Sequence, residues 1–402
     1  MGRGIALGIL AAGIGYASFA AAMGSVYRGS DPSAALRFAP HDSGALAGMA
    51  QRVLTTPDPA SAGRVSDLAL RSIRAQAINP SAIAALGIAR DLRGDQAGAA
   101  RLINLAQRVG QRTRLAQLWL IEYHAAHNQL PQVLVQYDLA LRSSEGARDL
   151  LLPALGNALS DPEIRKAMKP YVKAGAPWLV PFLITRVAAP DQDPRVLSAM
   201  ILEDGPLPRD SVYRIIEIQL VDKLAGAAAF DELERFYRSL PYADLTVLRS
   251  AAIGERDASR KFGALGWRLV SDPDAGAEFS SAANGQTGFS AYANPGHGGT
   301  AASKLLFLAP GRYRFQAKYD NIALPARAKA NWILRCGIGE GSRIVWQGRP
   351  VNGAQSEEID DSILIDEGCP HQFLELDVSG GEDRQGVTFD VVKIDLTRVA
   401  PR

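Results

Sequence analysis

Arg312-Tyr313-Arg314-Phe315-Gln316-Ala317-Lys318-Tyr319 alternates without a break. Tyr313, Phe315, Ala317 and Tyr319 fall on one side of an extended chain, with arginine, glutamine and lysine on the other. Successive strand residues point to opposite faces, so a period of two predicts a half-buried antiparallel strand, opened here by the turn Pro310-Gly311. Runs of the same character occur at Trp267–Val270, Lys304–Leu308, Trp332–Cys336, Arg343–Trp346, Gln372–Leu376 and Val387–Leu396. In the last of these, the adjacent pair Val391-Val392 interrupts the alternation and predicts a bulge. Seven short runs within residues 260–402 predict a β-sandwich domain.

Working outward within that domain, Trp332 and Leu334 share a strand face with Cys336, so the thiol is expected to point inward. Cys336 and Cys369 are the chain's two cysteines. Two lone thiols suit the core of a protein in a reducing compartment, whereas two in one small domain of an exported chain are expected to form a disulfide. Gly337-Ile338-Gly339-Glu340-Gly341 follows a strand and leads into another strand, which predicts a hairpin; a phosphate loop would open a helix there. Asp272 and Asp274 read as a polar turn, without the spacing of a calcium loop. The strand order and the Pro310–Phe315 turn resemble jelly-roll modules of the galactose-binding and carbohydrate-binding type. That resemblance implies a sugar held on an aromatic platform, for which Trp346 is the candidate by strand position. Core packing is the competing reading of the same ring.

Upstream, residues 32–257 read as helices. Asn79-Pro80 opens one that runs to Arg93, Gly94-Asp95 closes it, and a second covers Gln96–Val109. Thirty-four residues on the pattern returns: Leu86 is echoed by Leu120, Gly94 by Asn128, Leu105 by Leu139 and Ala106 by Ala140. Paired helices at this period resemble a tetratricopeptide repeat. Leu86, Gly87, Gly94, Ala99 and Ala106 occupy the positions of that family's large and small residues in the first unit. The second keeps Leu120, Asn128, Tyr137 and Ala140 but has Ile121 and Val133 at small positions, and Gln111 and Glu145 replace the terminal proline, so the repeats are degenerate. Ser43–Leu54 and Ser61–Ala77, divided by Thr55-Thr56-Pro57-Asp58-Pro59, supply a third pair. Beyond Ser143 the period is lost, but Arg148–Leu159, Pro162–Val172, Pro177–Val187, Pro194–Glu203, Ser211–Lys223 and Phe230–Leu240 remain helical. A TPR-like α-solenoid implies a protein partner on its concave face.

Gly4–Tyr27 carries no charged side chain. As a helix it would run about 36 Å, enough to cross a bilayer core, and Arg3 before it favours a cytoplasmic N-terminus. Residues 1–28 are therefore expected to be a transmembrane anchor, or alternatively a signal peptide cut near Ala20-Ala21-Ala22. Either reading exports the body; the anchor would give a single pass of the inner membrane with the body in the periplasm. Gly4, Gly8 and Ala12 form a small-residue stripe of the kind that lets two such helices approach, although glycine and alanine are common in any span.

The expected fold class is thus multidomain α plus β: a transmembrane helix, an α-solenoid and a jelly-roll-type β-sandwich. Forty-four basic and 42 acidic residues leave a net charge of +2, and the arginines are scattered singly, which excludes a nucleic-acid surface. His124 and His127 lack a third metal ligand, Asp231–Arg235 reads as a solvated helix face, and Trp119 and Trp178 read as core. No nucleophile elbow, P-loop, zincin helix or C-x-x-C occurs, so neither a cofactor nor catalysis is expected; a glycosidase with carboxylates distant in sequence stays an alternative. Chains assembled this way resemble accessory factors of bacterial cell-envelope polysaccharide assembly or export. That implies a scaffold with a glycan at the sandwich, or a protein-only assembly platform without one.

Overall fold

A computed structural model describes residues 2–56, 58–143, 145–254, 261–281, 287–325, 327–353, 356–382 and 385–400, apart from the side chains of 2–14 and 340. Fourteen α-helices precede ten β-strands among the described residues. They fall in two compact units: Met1–Tyr171 with Ala176–Phe182, and Val172–Gly175 with Leu183–Arg402.

The first unit contains α1 (Gly2–Ser30), α2 (Pro32–Phe38), α3 (Ser43–Val53), α4 (Ala62–Ala75), α5 (Pro80–Asp91), α6 (Gln96–Val109), α7 (Arg114–Ala126), α8 (Leu130–Ser143) and α9 (Glu145–Ala158). Asp31, Asp42, Asn79 and Asp95 stand at helix N-caps, where their side chains accept first-turn N–H groups that no helical carbonyl reaches. Neighbouring helices pair through small residues. A Cβ on Gly87 of α5 would stand 2.6 Å from Ile103 Cγ1 of α6, so only glycine permits that approach. Ala84, Ala99, Ile103 and Ala106 form one buried cluster with Trp119 and Leu120 of α7. The 34-residue echo has a backbone counterpart: Gly94 (φ 84°) and Asn128 (φ 55°) both turn the chain from first helix to second in the left-handed region. Glycine enters that region freely, and asparagine more readily than most residues. The region is organised as a helical repeat.

The anchor expected at residues 1–28 requires correction. Among the described residues no helix is long and apolar enough to cross a membrane, so the single-pass inner-membrane placement does not stand. The described turns of α1 are alanine-rich and interrupted by Tyr16, Ser18, Ser25, Tyr27 and Arg28, residues that gain little from transfer to hydrocarbon. Its last turns are instead engaged by the next helices. Phe19 and Tyr27 pack on Phe38 of α2 with ring centroids 6.0 and 6.2 Å apart. Arg28 pairs with Asp42 at 2.5 Å. Gly4, Gly8 and Ala12 lie in α1, but what their small-residue stripe packs against, and Pro57 altogether, lie outside what is described.

Two helices, α10 (Pro162–Ala174) and α11 (Leu179–Ala188), straddle the division between the units. The second unit continues with α12 (Pro194–Asp204), α13 (Ser211–Gly226) and α14 (Phe230–Ser239). Its strands are β1 (Arg268–Leu269), β2 (Ala275–Ser281), β3 (Thr287–Ala293), β4 (Gly298–Leu306), β5 (Gly311–Ala323), β6 (Lys329–Cys336), β7 (Arg343–Gln347), β8 (Ser356–Ile365), β9 (Gln372–Ser379) and β10 (Val387–Arg398). They form two five-stranded sheets, ordered β1-β4-β9-β6-β7 and β2-β3-β10-β5-β8, with antiparallel pairing throughout. Tyr313, Phe315, Ala317 and Tyr319 face the core, as the period of two requires. At the centre Trp332 meets Trp267 and Phe315, each with ring centroids 5.8 Å away, and donates its indole N–H to Tyr319 Oη at 2.6 Å. The β5–β10 register slips between Val391 and Lys393, at the expected bulge.

Candidate functional site

Cys336 ends β6, and Cys369 precedes β9; the two are joined as a disulfide with Cα atoms 5.5 Å apart. Trp346 on β7 is half-buried: its ring lies 4.9 Å from that of Phe315, and its indole N–H donates to Asp361 of β8 at 3.0 Å. The tryptophan therefore bridges the two sheets at their β7–β8 edge. Gly337 and Gly339, both at positive φ, carry the connection from β6 to β7, so the glycine-rich run joins two paired strands. Asp272 accepts the N–H of Asp274 at 2.9 Å in a turn. His124 of α7 contacts Gln129, and His127, which caps the end of that helix, contacts the Tyr123 carbonyl, both at 2.7 Å. Trp119 and Trp178 are buried, their indole N–H groups given to Asp91 and Asp138, each at 2.9 Å.

None of these positions gathers convergent chemistry. A cleft of ≈ 580 Å³ in the second unit does, where α13 and α14 meet the outer face of the first sheet. Its floor is apolar: Leu305 of β4 stands opposite Phe373 of β9 in register, and Phe230 of α14 meets the Phe373 ring at 5.5 Å, edge to face. Trp267 and the exposed Ile338 extend that lining. Three polar groups stand around it. Asp222 comes from α13, while Arg268 and Ser303 are a cross-strand pair of β1 and β4 and so project from the same face. Pockets of a few hundred cubic ångströms with an apolar lining and a few convergent polar groups are the usual form of a small-ligand site.

The backbone explains how Asp222 is presented. Gly263 takes φ 56° beside it, and a Cβ there would lie 2.5 Å from Asp222 Oδ1. The close approach lets the N–H of Ala264 donate to the carboxylate. Surrounding protein atoms nevertheless raise this carboxyl above the ordinary aspartate range, the Ala264 hydrogen bond opposing them. Arg268 is solvent-exposed, and among the described residues its side chain has no hydrogen-bond or ion-pair partner. Behind the floor, His371 packs on Phe230 with ring centroids 4.4 Å apart, and its Nδ1 is buried without a hydrogen-bond partner. Burial pushes the imidazole below its usual value, with Asp231 opposing, so His371 supports Phe230 as a neutral ring.

Asp222, Phe230, Arg268, Ser303 and Phe373 were not singled out as ligand contacts by the sequence reading, because they come from five elements spread over 150 positions. One signal was present: Lys304–Leu308 is nearly continuous in apolar residues, the pattern of a strand covered on both faces. Among the described residues no three His, Cys, Asp or Glu side chains are grouped to hold a metal ion.

No family model and no curated protein matches the sequence. Solved structures with partial likeness include a CBM61 module in complex with β-1,4-galactotriose, at 17% identity, covering 33% of this chain and 88% of that one with a TM-score of 0.25. Another is the CBM22-1 xylan-binding domain of Paenibacillus barcinonensis Xyn10C, at 12% identity, covering 39% and 96% with a TM-score of 0.27. A GH115 4-O-methyl-α-glucuronidase specific for decorated arabinogalactans is 13% identical over 79% of this chain and 42% of its own, with a TM-score of 0.19. The ligands named are those of the other proteins, and likeness at these scores assigns none to this chain.

Proposed function

We infer that the chain is a non-catalytic binding protein whose second unit holds a short saccharide in the cleft between α13, α14 and the outer face of β1, β4 and β9. The observation that carries this reading is the pairing of an apolar floor with a polar rim. Leu305, Phe230 and Phe373 offer a surface for the C–H face of a pyranose, while Asp222, Arg268 and Ser303 supply an acceptor, a fork of donors and a hydroxyl for its oxygens. A single carboxylate among the lining residues leaves the acid and base roles of glycoside hydrolysis without a pair, which favours binding over turnover. In a scaffold serving polysaccharide assembly, such a cleft would hold the glycan while other parts of the chain engage proteins.

The test is affinity electrophoresis of the full chain through gels cast with a panel of neutral and acidic polysaccharides, followed by calorimetry with oligosaccharides of any that retard it. Asp222→Asn and Arg268→Ala each remove one charge-assisted hydrogen bond, so affinity is expected to fall about ten- to hundred-fold, with the fold intact by circular dichroism. Retardation that both variants retain unchanged would place the sugar elsewhere, and no retardation by any polysaccharide would remove the reading.

A further inference from the structure

We propose that the first unit carries a separate site for an acidic peptide segment of a protein partner, in the groove where α3, α5 and α7 follow one another. This goes beyond the saccharide reading and does not depend on it. The groove has a volume of ≈ 720 Å³ and takes its lining from the end of α1, from α3, and from the first turns of α5 and α7. Four arginines border it, Arg28, Arg52, Arg112 and Arg114, and no aspartate or glutamate is among the lining residues. The chain as a whole carries only +2, so this is a local concentration of charge.

The four guanidinium groups divide into two kinds. Arg28 is paired with Asp42 at 2.5 Å, and Arg52 with Asp31 at 3.3 Å, both carboxylates also serving as helix N-caps. Those pairs hold the first two arginines in place. Arg112 and Arg114, beside the start of α7, are exposed and have no hydrogen-bond or ion-pair partner among the described residues. Subtracting the two paired carboxylates leaves the groove with two uncompensated cations on one side. A carboxylate presented between them meets the planar forks that guanidinium groups offer for bidentate bonding.

The remaining lining selects the class of anion. Gln51 borders the groove with a side-chain amide of the kind that pairs with a peptide backbone, and Thr55 with a hydroxyl that donates to the Arg52 carbonyl and can still accept. Its walls are kept low by glycine. A Cβ on Gly48 would stand 2.9 Å from Pro32 Cγ, and one on Gly110 would stand 2.7 Å from Pro80 Cγ. No aromatic ring lines the groove, so the stacking platform on which single-stranded nucleic acids depend is missing here. An acidic peptide matches the two unpaired guanidinium groups and the polar side chains beside them.

The probe is a fluorescein-labelled hexaglutamate peptide titrated with the full chain and read by anisotropy, with hexaglutamine as the uncharged control. The expected result is saturable binding of hexaglutamate that weakens as salt rises, no binding of hexaglutamine, and at least a ten-fold loss in R112A/R114A. Since Arg112 and Arg114 are exposed and unpartnered, that variant keeps its fold, which circular dichroism checks. The matched variant R101A/R108A, which removes two exposed arginines of α6, is expected to bind as the wild type does. Absent binding of hexaglutamate, binding that R112A/R114A leaves unchanged, or an equal loss in R101A/R108A would each overturn the proposal. Stronger binding of a labelled oligothymidylate or of a heparin fragment than of hexaglutamate would also overturn it.

Discussion

Lys304→Met isolates the energetics of one buried charge. Lys304 of β4 is 4% exposed, and its Nζ donates to the carbonyls of Val247, at 3.1 Å, and of Leu265. It forms no ion pair with a described carboxylate, and burial alone takes its ammonium from 10.5 down to about 7. A drop of that size corresponds to about 5 kcal/mol against the charged form. The sign follows from proton counts. Below pH 7 folded and unfolded chains both hold the proton, and the penalty is fully present. Between pH 7 and 10.5 the unfolded chain holds a proton that the native one has released, so stability rises by about 1.4 kcal/mol per pH unit. Methionine removes the titration. It also leaves two carbonyls short of a donor, but that loss is independent of pH and shifts the whole curve. The stability of the wild type relative to Lys304→Met should therefore improve by about 2.5 kcal/mol between pH 7.5 and 9.5. Urea unfolding of both full chains across that range, read by peptide-resolved pulse proteolysis, follows the sandwich separately from the helices. Parallel curves would refute the reasoning. The ammonium would then be reaching water through the ≈ 260 Å³ cavity that it borders with Asp244 and Lys261.

Two further expectations concern the sandwich. Cys336→Ser/Cys369→Ser opens a covalent loop with a sequence separation of 33, which on the chain-entropy account removes roughly 3.5 kcal/mol from the second unit; an unfolding midpoint of the strands that is indifferent to reductant would contradict this. Tyr319→Phe withdraws the hydroxyl that accepts the Trp332 indole N–H and strands a buried donor, costing about 1–3 kcal/mol by urea denaturation; a variant as stable as the wild type would mean that another acceptor replaces the tyrosine.

Legibility varied with how local the determining physics is. Gly94 and Asn128 announce the helix-to-helix turns because a left-handed residue is a local requirement, and their spacing of 34 carries the repeat. Residues 312–319 announce β5 because alternation is local as well. Three strands escaped the reading. In β2 and β3, Ala-Gly-Ala-Glu-Phe-Ser-Ser and Thr-Gly-Phe-Ser-Ala-Tyr-Ala are too rich in small residues to read as strands. Their compactness is set by contact instead: a Cβ on Gly276 would lie 2.1 Å from the Val270 carbonyl oxygen. In β8 the acidic run Glu357–Asp361 reads as a solvated loop, although Ile359, Ile363 and Ile365 are buried. The N-terminal segment misled for the opposite reason: absence of charge in Gly4–Tyr27 says nothing about whether Phe19, Tyr27 and Arg28 have partners within the fold, and they do.

The cleft shows why a site of this kind escapes motif reading while the covering of its strand does not. A sandwich sheet that faced water would alternate, yet β4 ends in Leu305-Leu306 and continues into Phe307-Leu308, all four buried. Leu306 faces the core, so Leu305 must be covered from outside, and Phe373 beside it needs the same cover. Phe230 at the start of α14 supplies it, with His371 neutral beneath. Because a helix lies across part of a sheet, the junction leaves a recess at the helix flank, where Asp222, Arg268 and Ser303 remain at the rim. The same residues that make the sandwich depend on α14 for its stability therefore shape its candidate binding surface. Sequence periodicity registers the first consequence in four consecutive apolar residues. It cannot register the second, because neighbours such as Arg268 and Ser303 are brought together only by strand register.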